Sequence, residues 1–450
     1  MRRRHRGSAL VIVMIFVAVF GALALGFLQA SDSSLKSAAL QAEARRARAA
    51  AESGMAFARG ALPCLQLPSA GTTTGETLEA IADALNANLA GTVFSGASAT
   101  VSGDTVQLPA VILNFAEGPA RFDLEVVAGL GDTFAVRSTG TVGDARQTIA
   151  SAFRAEDDTR LLTSYGVASR SRIVMKGSAR IDGANDPSEG SVLSTSQVFM
   201  DPIDIFGHVY VSGDVAITNP DGDVSLRGNA NVGGDILIGV PEPPFPEIDI
   251  SVFEPYAVNV LDPEIHTYSS DVYLENVRIP ANTNPTFTAN TLIRGVVYVE
   301  SPNQVTFTGH VAVIGVIVAE TPEGELDLAD NQIRFTGNTA TLGTGSLPEG
   351  APQFSGLQDL DGSFILAPGY NVEFTGSFST LNGSVAASKL TFGGDASGTV
   401  KGSILNYHDT QVEISGNSHL LIDHSDLDQS PAGMVFPRRL VYVAGTYSEG

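Results

Sequence analysis

The sequence has no tryptophan and only one cysteine, Cys64. A single cysteine leaves no partner for an intramolecular disulfide, so the fold cannot depend on a disulfide framework. Basic residues are also scarce beyond residue 60. Residues 1–60 hold nine Lys and Arg and three Asp and Glu, which leaves 17 basic and 46 acidic residues and a net charge of −29 in 61–450. A surface of that sign argues against nucleic acid as a partner.

Signatures of catalysis and of metal binding are missing as well. The sequence has no P-loop, no Gly-x-Ser-x-Gly elbow and no zinc-ligand spacing. Three pairs of carboxylates stand in turn-like contexts beside Gly, Pro or Ser: Asp221 and Asp223, Asp359 and Asp361, Asp423 and Asp426. We therefore predict no catalytic residue, no metal site and no cofactor. A Ca²⁺ site in the acidic turn 219–223 remains an alternative.

Histidines and carboxylates gather in residues 406–426, where His408 and His424 would approach each other if they lie on adjacent strands. Their spacing matches no zinc motif. We interpret them as surface residues.

What the sequence does contain is a long apolar run behind a basic leader. Residues 8–28 carry no charge, and at about 1.5 Å per residue a helix of this length spans roughly 30 Å, the thickness of a bilayer core. The leader holds Arg2, Arg3, Arg4 and Arg6, which would keep the N-terminus on the cytoplasmic side. Gly21 and Gly26 would permit close approach of a neighbouring helix.

The apolar run continues without a Gly-Pro break into an Ala-rich amphipathic stretch that ends near Gly60 and Pro63. We predict one helix over residues 8–61, transmembrane first and then amphipathic. Two alternatives are an ordinary signal anchor and a cleaved signal peptide that ends near Ala30.

Three features together resemble type IV pilin-like proteins, in particular PilX-type minor pilins and GspK-type pseudopilins. They are the leader that ends in Gly7, the opening SALVIVMI and the segment AAESGMAFA at 50–58. The resemblance implies that a prepilin peptidase cuts between Gly7 and Ser8. It also implies that the helix packs against other pilin-like subunits. For that packing we assign Ile12, Gly21, Gly26, Glu52 and Gly54.

One position departs from the major pilins. If Ser8 is the first mature residue, the fifth is Ile12, where major pilins carry a glutamate that pairs with a neighbouring subunit's α-amino group. GspK-type subunits lack that glutamate and sit at filament tips. The departure therefore favours an initiating or tip subunit over a major pilin.

The region 62–158 reads as a small α+β head. A helix with Thr before Glu76 is followed by short alternating runs broken by Gly-containing turns, which predict an antiparallel meander. The overall fold class is therefore α+β, with a long N-terminal helix, a small pilin-like antiparallel head and a mainly-β domain behind it.

Residues 159–430 repeat a loose phrase of apolar, any, apolar, any, Gly, at irregular spacings of 15 to 81 residues. The key glycines are Gly177, Gly213, Gly228, Gly309, Gly337, Gly376, Gly394 and Gly416. Strand, Gly corner and strand make the unit of a β-solenoid, so we predict a right-handed parallel β-helix. Asn229, Asn338 and Asn417 directly follow key glycines and would stack as a ladder. A β-sandwich and an irregular barrel are the alternatives.

Two segments fall outside this pattern. Residues 241–263 are rich in proline, which removes ladder donors, so we predict an extended arm across the solenoid, with a disordered loop as the alternative. Residues 431–450 contain one good strand, LVYVAG, which we expect to cap the open end of the solenoid or to pair with an edge.

These observations predict a minor pilin-like subunit of a type IV pilus or type II secretion-like filament. It would start in the inner membrane with a cytoplasmic N-terminus and reach the cell surface by assembly, where its head would bind a surface glycan or protein. One rival is a membrane-anchored β-helix enzyme that acts on cell-surface polysaccharide. Another is an envelope protein that polymerises through the ends of its solenoid.

Overall fold

The computed structural model of the chain describes residues 7–69, 73–90, 96–116, 118–322, 324, 326–425 and 430–450, with the backbone alone for 7–10. The chain divides into two compact units. The first, here called the head unit, comprises residues 1–157 and 437–450. The second, the inserted unit, comprises residues 158–436 and interrupts the sequence of the head unit.

The head unit begins with one long helix, α1 (Gly7–Ala61), of 55 residues. At about 1.5 Å per residue it is roughly 80 Å long. The segment contains no proline, and its second half is rich in alanine, the strongest helix former. The helix stops where Pro63 enters a 3-10 turn, Leu62–Cys64, because proline lacks the amide hydrogen that would continue the ladder. The predicted long N-terminal helix is confirmed.

A second helix and a meander follow. Helix α2 (Thr74–Leu89) starts at a capping box in which the Thr73 hydroxyl accepts from the Glu76 amide and the Glu76 carboxylate accepts from the Thr73 amide. These hydrogen bonds lower the pKa of Glu76. Five antiparallel strands then pair in sequence order: β1 (Thr100–Ser102), β2 (Thr105–Phe115), β3 (Gly118–Ala128), β4 (Thr133–Val142) and β5 (Ala145–Asp157). The helix and the meander predicted for the head are both present.

The last strands of the chain return to this sheet. Arg438–Tyr442 and Ser448–Glu449 both pair antiparallel with β5, and the Arg438 guanidinium lies 2.7 Å from the Asp132 carboxylate. The sequence predicts that the strand in 431–450 caps the open end of the solenoid or pairs with a sheet edge. The structure shows pairing with β5 in the head sheet and no cap on the solenoid among the described residues, because alternating apolar residues such as the fully buried Leu440 complete the head core.

Short parallel strands dominate the inserted unit. After a one-turn helix, α3 (Arg160–Ser164), the strands are Val167–Ser169, Ile173–Gly177, Arg180–Gly183, Val192–Ser194, Ile203–Gly207, Tyr210–Val211, Val215–Ile217, Val224–Gly228, Asn231–Val232, Ile236–Ile238, Glu247–Ile248, Asn259–Val260, Thr267–Tyr268, Val272–Ile279, Thr286–Phe287, Thr291–Val299, Asn303–Phe307, Val311–Ala319, Asn331–Phe335, Thr339–Leu342, Ser363–Phe374, Thr380–Asn382, Ser384–Phe392, Ser397–Lys401, Ile404–Asn406, Val412–Ile414, His419–Asp423 and Met434–Val435. The 3-10 turns are Pro187–Gly190, Ile250–Val252, Glu254–Tyr256, Thr344–Ser346, Pro352–Phe354 and Leu357–Asp359.

Among the described residues of this unit, every strand pair is parallel except Glu247–Ile248 with Met434–Val435. Each turn of the chain, or rung, lays its strands on those of another rung, as in a β-solenoid. The predicted mainly-β domain of parallel strands is therefore confirmed. Its right-handedness stays a prediction.

A column of glycines forms one corner of the solenoid. Gly177, Gly207 and Gly228 pair in register, and a Cβ added at Gly337 would meet the carbonyl oxygen of Gly309. The corner accepts glycine because the backbone of the next rung lies directly against it. One predicted member was wrong: Gly207 holds the column position, whereas the phrase that selected Gly213 belongs to another corner, where an added Cβ would meet Ser191.

A column of aromatic rings fills the interior. Tyr268, Phe287, Phe307, Phe335, Phe374 and Phe392 stack in that order, with ring centroids 4.7 to 5.3 Å apart. In-register parallel strands lie about 4.8 Å apart, so identical inward residues must stack face to face. The column continues through aliphatic side chains, beginning with Ile414 and Met175.

The rungs do not follow one another in sequence order. The first rung (167–183) pairs on one side with the second (192–211) and on the other with the last (404–423). The chain therefore starts in the middle of the stack and reaches one end at Ile236–Ile238. It resumes at the opposite end, at Asn259–Val260, and builds back to the middle. Consequently the two ends of the inserted unit leave from neighbouring rungs.

The Pro-rich segment makes the connection between the two ends of the stack. Phe245 packs edge-to-face on Tyr407 with centroids 5.6 Å apart, and the Tyr407 hydroxyl donates to the Pro246 carbonyl at 2.8 Å. Burial raises the pKa of Tyr407. Phe253 is fully buried on the same outer face, among residues that point away from the interior, such as Leu405. The arm is thus packed against the solenoid, and its apolar contacts cover one outer face.

Candidate functional site

The first half of α1 presents apolar side chains that no other described residue of the chain covers. Residues 11–42 are all exposed, although most of those from 11 to 28 are apolar. Among the described residues, α1 is the one helix long and apolar enough to cross a membrane. An exposed apolar surface of this extent is typical of a segment that lies in lipid or packs against other helices.

Three predicted packing residues lie in this exposed half. Ile12 is 53% exposed, and a Cβ added at Gly21 or Gly26 would meet no atom within 4 Å. Their surfaces are therefore open to partners outside the chain. Gly7 and Ser8 open the helix, and cleavage between them stays a prediction.

The other two predicted packing residues are engaged within the head unit. The Arg48 guanidinium donates to the carboxylates of Glu52 at 3.0 Å and Glu449 at 2.7 Å. An atom added at Gly54 would collide with the Phe122 ring and the Ser138 hydroxyl. The structure thus gives Gly54 a role in packing the helix on its own sheet, and Glu52 a partner in its own chain.

The inserted unit carries an open groove of about 890 Å³ that crosses several rungs. Its floor consists of outward-facing residues in register: Tyr273, Leu292, Ala312 and Ala340. Tyr273 is 52% exposed and its hydroxyl donates to Glu275 at 2.6 Å. The side chains shorten from Tyr273 to Ala340, which deepens the groove along the stack.

One wall of the groove is a polar ladder: Asp271, Asn290, His310 and Asn338, one residue per rung. All four are exposed. The Asn290 amide donates to Asp271 at 3.1 Å. In the described part of the chain the side chains of His310 and Asn338 have no hydrogen-bond partner, so they are available to a ligand.

The prediction that three asparagines stack as a ladder is wrong. Asn338, Asn417 and Asn229 occupy the same corner on different rungs, but they do not touch one another. Asn417 donates to Asp395 at 3.2 Å, and Asn229 lies 3.2 Å from the His208 ring nitrogen. The corner therefore carries mixed polar side chains.

Three of the carboxylates considered for catalysis or Ca²⁺ binding accept hydrogen bonds from neighbouring groups in turns and loops. Asp223 accepts from the Val224 amide, and Asp361 accepts from the Thr344 hydroxyl. Asp423 accepts from Ser425 and Asn185, and these hydrogen bonds lower its pKa against the opposing effect of burial. Asp426 lies outside the described residues. In the described ranges no group of three or more His, Cys, Asp and Glu side chains is arranged to hold a metal ion.

The two histidines of the 406–426 segment have different surroundings. His408 lies 3.0 Å from the Thr410 hydroxyl. The half-buried His424 lies 3.3 Å from the Ser403 hydroxyl, and its amide donates to Glu189 at 3.3 Å. Burial lowers the pKa of His424, although the charges of Glu189 and Asp423 and the Thr163 backbone act in the opposite direction.

This burial makes stability depend on pH. The unfolded chain, in which His424 has an ordinary pKa of about 6.5, binds a proton more readily than the folded chain, so stability rises with pH in this range. We expect the free energy of unfolding to fall between about pH 7 and pH 5. Urea unfolding of wild type and His424→Gln across this range measures the effect, with the exposed His208→Gln as control. Parallel pH profiles for wild type and His424→Gln would contradict it.

Comparisons with known proteins give a similarity to solved structures. No family model and no curated protein matches the sequence. Among solved structures, the chain is similar to the competence-associated pilin ComZ from Thermus thermophilus, at 12% identity and a TM-score of 0.27, over 91% of this chain and 97% of that one. At that identity and score the similarity carries no functional assignment.

Proposed function

We propose that the chain is a pilin-like subunit of a type IV pilus-related filament. The observation that supports this most directly is the single helix Gly7–Ala61, apolar and exposed in its first half and packed on an antiparallel sheet in its second. Such a helix can lie in the inner membrane and later pack beside helices of other subunits. The N-terminus would be cytoplasmic before assembly, since four arginines precede the apolar run.

The finer role we propose is that of a minor subunit, PilX-type or GspK-type, at the tip or at the start of a filament. Ile12 supports this, because it cannot make the carboxylate–amine pairing expected of a major pilin. The size of the inserted unit, residues 158–436, also favours a subunit that displays this unit at the cell surface over a major subunit that repeats along the filament. At the cell surface that unit would serve adhesion to a glycan or protein.

Binding without turnover is the proposed activity of the inserted unit. Of the described residues that line the groove, Asp271 is the one carboxylate. Glycoside hydrolysis uses two carboxylates across the scissile bond, so the lining favours binding over an enzyme of that kind.

Processing by a prepilin peptidase gives the most direct test. We expect Gly7→Leu to block the cut between Gly7 and Ser8, because the larger side chain stands next to the bond that the enzyme must reach. The uncut precursor would remain in the membrane and be lost from sheared filaments. Mass spectrometry of the native N-terminus and of the filament fraction measures both results.

The matched control is Gly60→Leu, the same substitution at an exposed site remote from the cut, where an added Cβ would meet no atom within 4 Å. It should leave Ser8 as the first residue and leave filament incorporation unchanged. A wild-type chain that starts at Met1, or one cut near Ala30, would contradict the proposal.

A further inference from the structure

The groove on the inserted unit has the chemistry of a site for a long, uncharged, regularly repeating ligand. Its floor offers apolar surface at each rung, and its wall offers one hydrogen-bonding side chain per rung. Adjacent rungs lie about 4.8 Å apart. The same pair of contacts, apolar beneath and polar beside, therefore repeats along the stack at the strand spacing, which is close to the length of one β-linked hexose unit.

We propose that this groove binds a neutral polysaccharide, with the sugar chain lying along the axis of the solenoid. The proposal deepens the display role given above and rests on it only for its biological setting. Tyr273 would receive the apolar face of one sugar ring, as half-exposed aromatic rings do at binding sites. His310 and Asn338 would hydrogen-bond hydroxyl groups of successive sugars.

The negative charge of the protein favours a neutral polysaccharide over an acidic one. The polar ladder holds one carboxylate, Asp271, and two amides, and the chain beyond residue 60 carries a net charge of −29. No lysine or arginine belongs to the described lining of the groove, and the nearby Arg294 guanidinium lies 5.6 Å from the centre of the Tyr273 ring. A uronate polymer or a nucleic acid would meet the Asp271 carboxylate and a strongly acidic chain, with this one arginine beside the floor to offset them.

Backbone pairing argues against an extended peptide as the ligand. Peptides commonly bind by adding a strand to a free sheet edge. Here the carbonyls of Asn290, His310 and Asn338 already accept from Val272, Thr291 and Val311 of the neighbouring rung, at 2.8 to 2.9 Å. The groove therefore offers side chains and no free strand edge.

Calorimetric titration of the full chain in detergent micelles tests the proposal. The probes are β-1,4-glucan, β-1,3-glucan and N-acetylglucosamine oligomers of increasing length, with polygalacturonate as the acidic counterpart. We expect at least one neutral series to bind, with affinity that rises with length until the groove is spanned. Binding of polygalacturonate alone, or of no neutral oligomer in any series, would overturn the proposal.

Substitutions locate the binding. Asn338→Ala should weaken it between about threefold and tenfold, the loss of one hydrogen bond. The matched control is Asn417→Ala, the same residue type at the same corner but outside the groove. Equal loss in both variants, at unchanged thermal stability, would also overturn the proposal.

A third variant, Tyr273→Ala, removes the aromatic platform and should weaken binding by at least as much as Asn338→Ala. Unchanged binding in this variant would count against the groove. The outcome is separable from the assembly proposal, because N-terminal processing and filament incorporation are measured without any glycan. A chain that assembles normally and binds no sugar would refute the glycan site alone.

Discussion

Replacement of Phe374 by Ala is expected to lower the free energy of unfolding of the inserted unit by about 3–5 kcal/mol. Phe374 is fully buried in the aromatic column, with its ring centroid 4.7 Å from that of Phe335 and 5.3 Å from that of Phe392. The neighbouring rings cannot move in to fill the space, since parallel pairing fixes their strands at both sides. The cost is therefore that of lost contacts together with an unfilled cavity.

Urea unfolding followed by circular dichroism measures the total effect, and hydrogen exchange by mass spectrometry assigns it to peptides from 331–401. Phe374→Leu should cost less, because it keeps much of the buried volume. The control is Phe199→Ala in the same unit, where the side chain is 38% exposed. If Phe374→Ala costs no more than this control, the packed interior column is refuted.

The parts of the fold that could be predicted depend on local signals. The long helix follows from an unbroken run of apolar and alanine-rich sequence. The start of α2 follows from Thr73 and Glu76, whose capping box needs only four residues of chain. In both cases the residues that decide the structure are neighbours in sequence, so a linear pattern is enough.

The repeat that predicts the solenoid ends in glycine, so it does not identify a rung in which another residue takes the glycine position. The rung at Thr286–Phe287 has Ala289 in the column position. This replacement and the Pro-rich segment 241–263 together open the glycine spacing to 81 residues between Gly228 and Gly309. The segment around Gly213 repeats the same apolar phrase at a different corner, so the pattern selected Gly213 instead of Gly207. Periodicity thus identifies the kind of fold more readily than the register of each rung.

The order of the rungs and the return of the C-terminal strand could not be predicted at all. Pairing of 167–183 with 404–423 joins segments that are more than 200 residues apart in sequence. No local preference distinguishes this partner from any other rung with the same alternation. Likewise, Arg438–Tyr442 is compatible with any open sheet edge, and only tertiary packing selects β5.

The groove shows the same limit. Asn338 could be noticed because it follows a column glycine, whereas His310 and Tyr273 carry no distinguishing pattern in sequence. They form a groove because four segments of the chain stack in register, and no one of these segments forms it alone. Exposure of Ile12, Gly21 and Gly26 was foreseeable, since it follows directly from an apolar run with no amphipathic face.

The second large effect is expected at the contact between α1 and the head sheet. Gly140→Val should lower the stability of the head unit by about 3 kcal/mol, the upper end for overpacked cores. A Cβ at this position would meet the carbonyl oxygen of Ala47 and the amide nitrogen of Ala51. Both are backbone atoms of a helix, so no flexible side chain can give way. The alanines at 47, 50 and 51 are fully buried, because at this point the helix lies directly on the strand.

The Gly140→Val variant also tests whether incorporation into filaments requires α1 to be packed on the head sheet. Gly140→Val should leave the cut at Ser8 intact, because the peptidase site is remote, yet reduce incorporation into filaments because the helix no longer seats on the sheet. Hydrogen exchange in 47–58 and 133–142 would report the loosened contact. The control is Gly96→Val, since a Cβ there meets nothing within 4 Å. Equal stability and equal incorporation of the two variants would show that the close approach at Gly140 does not hold the helix.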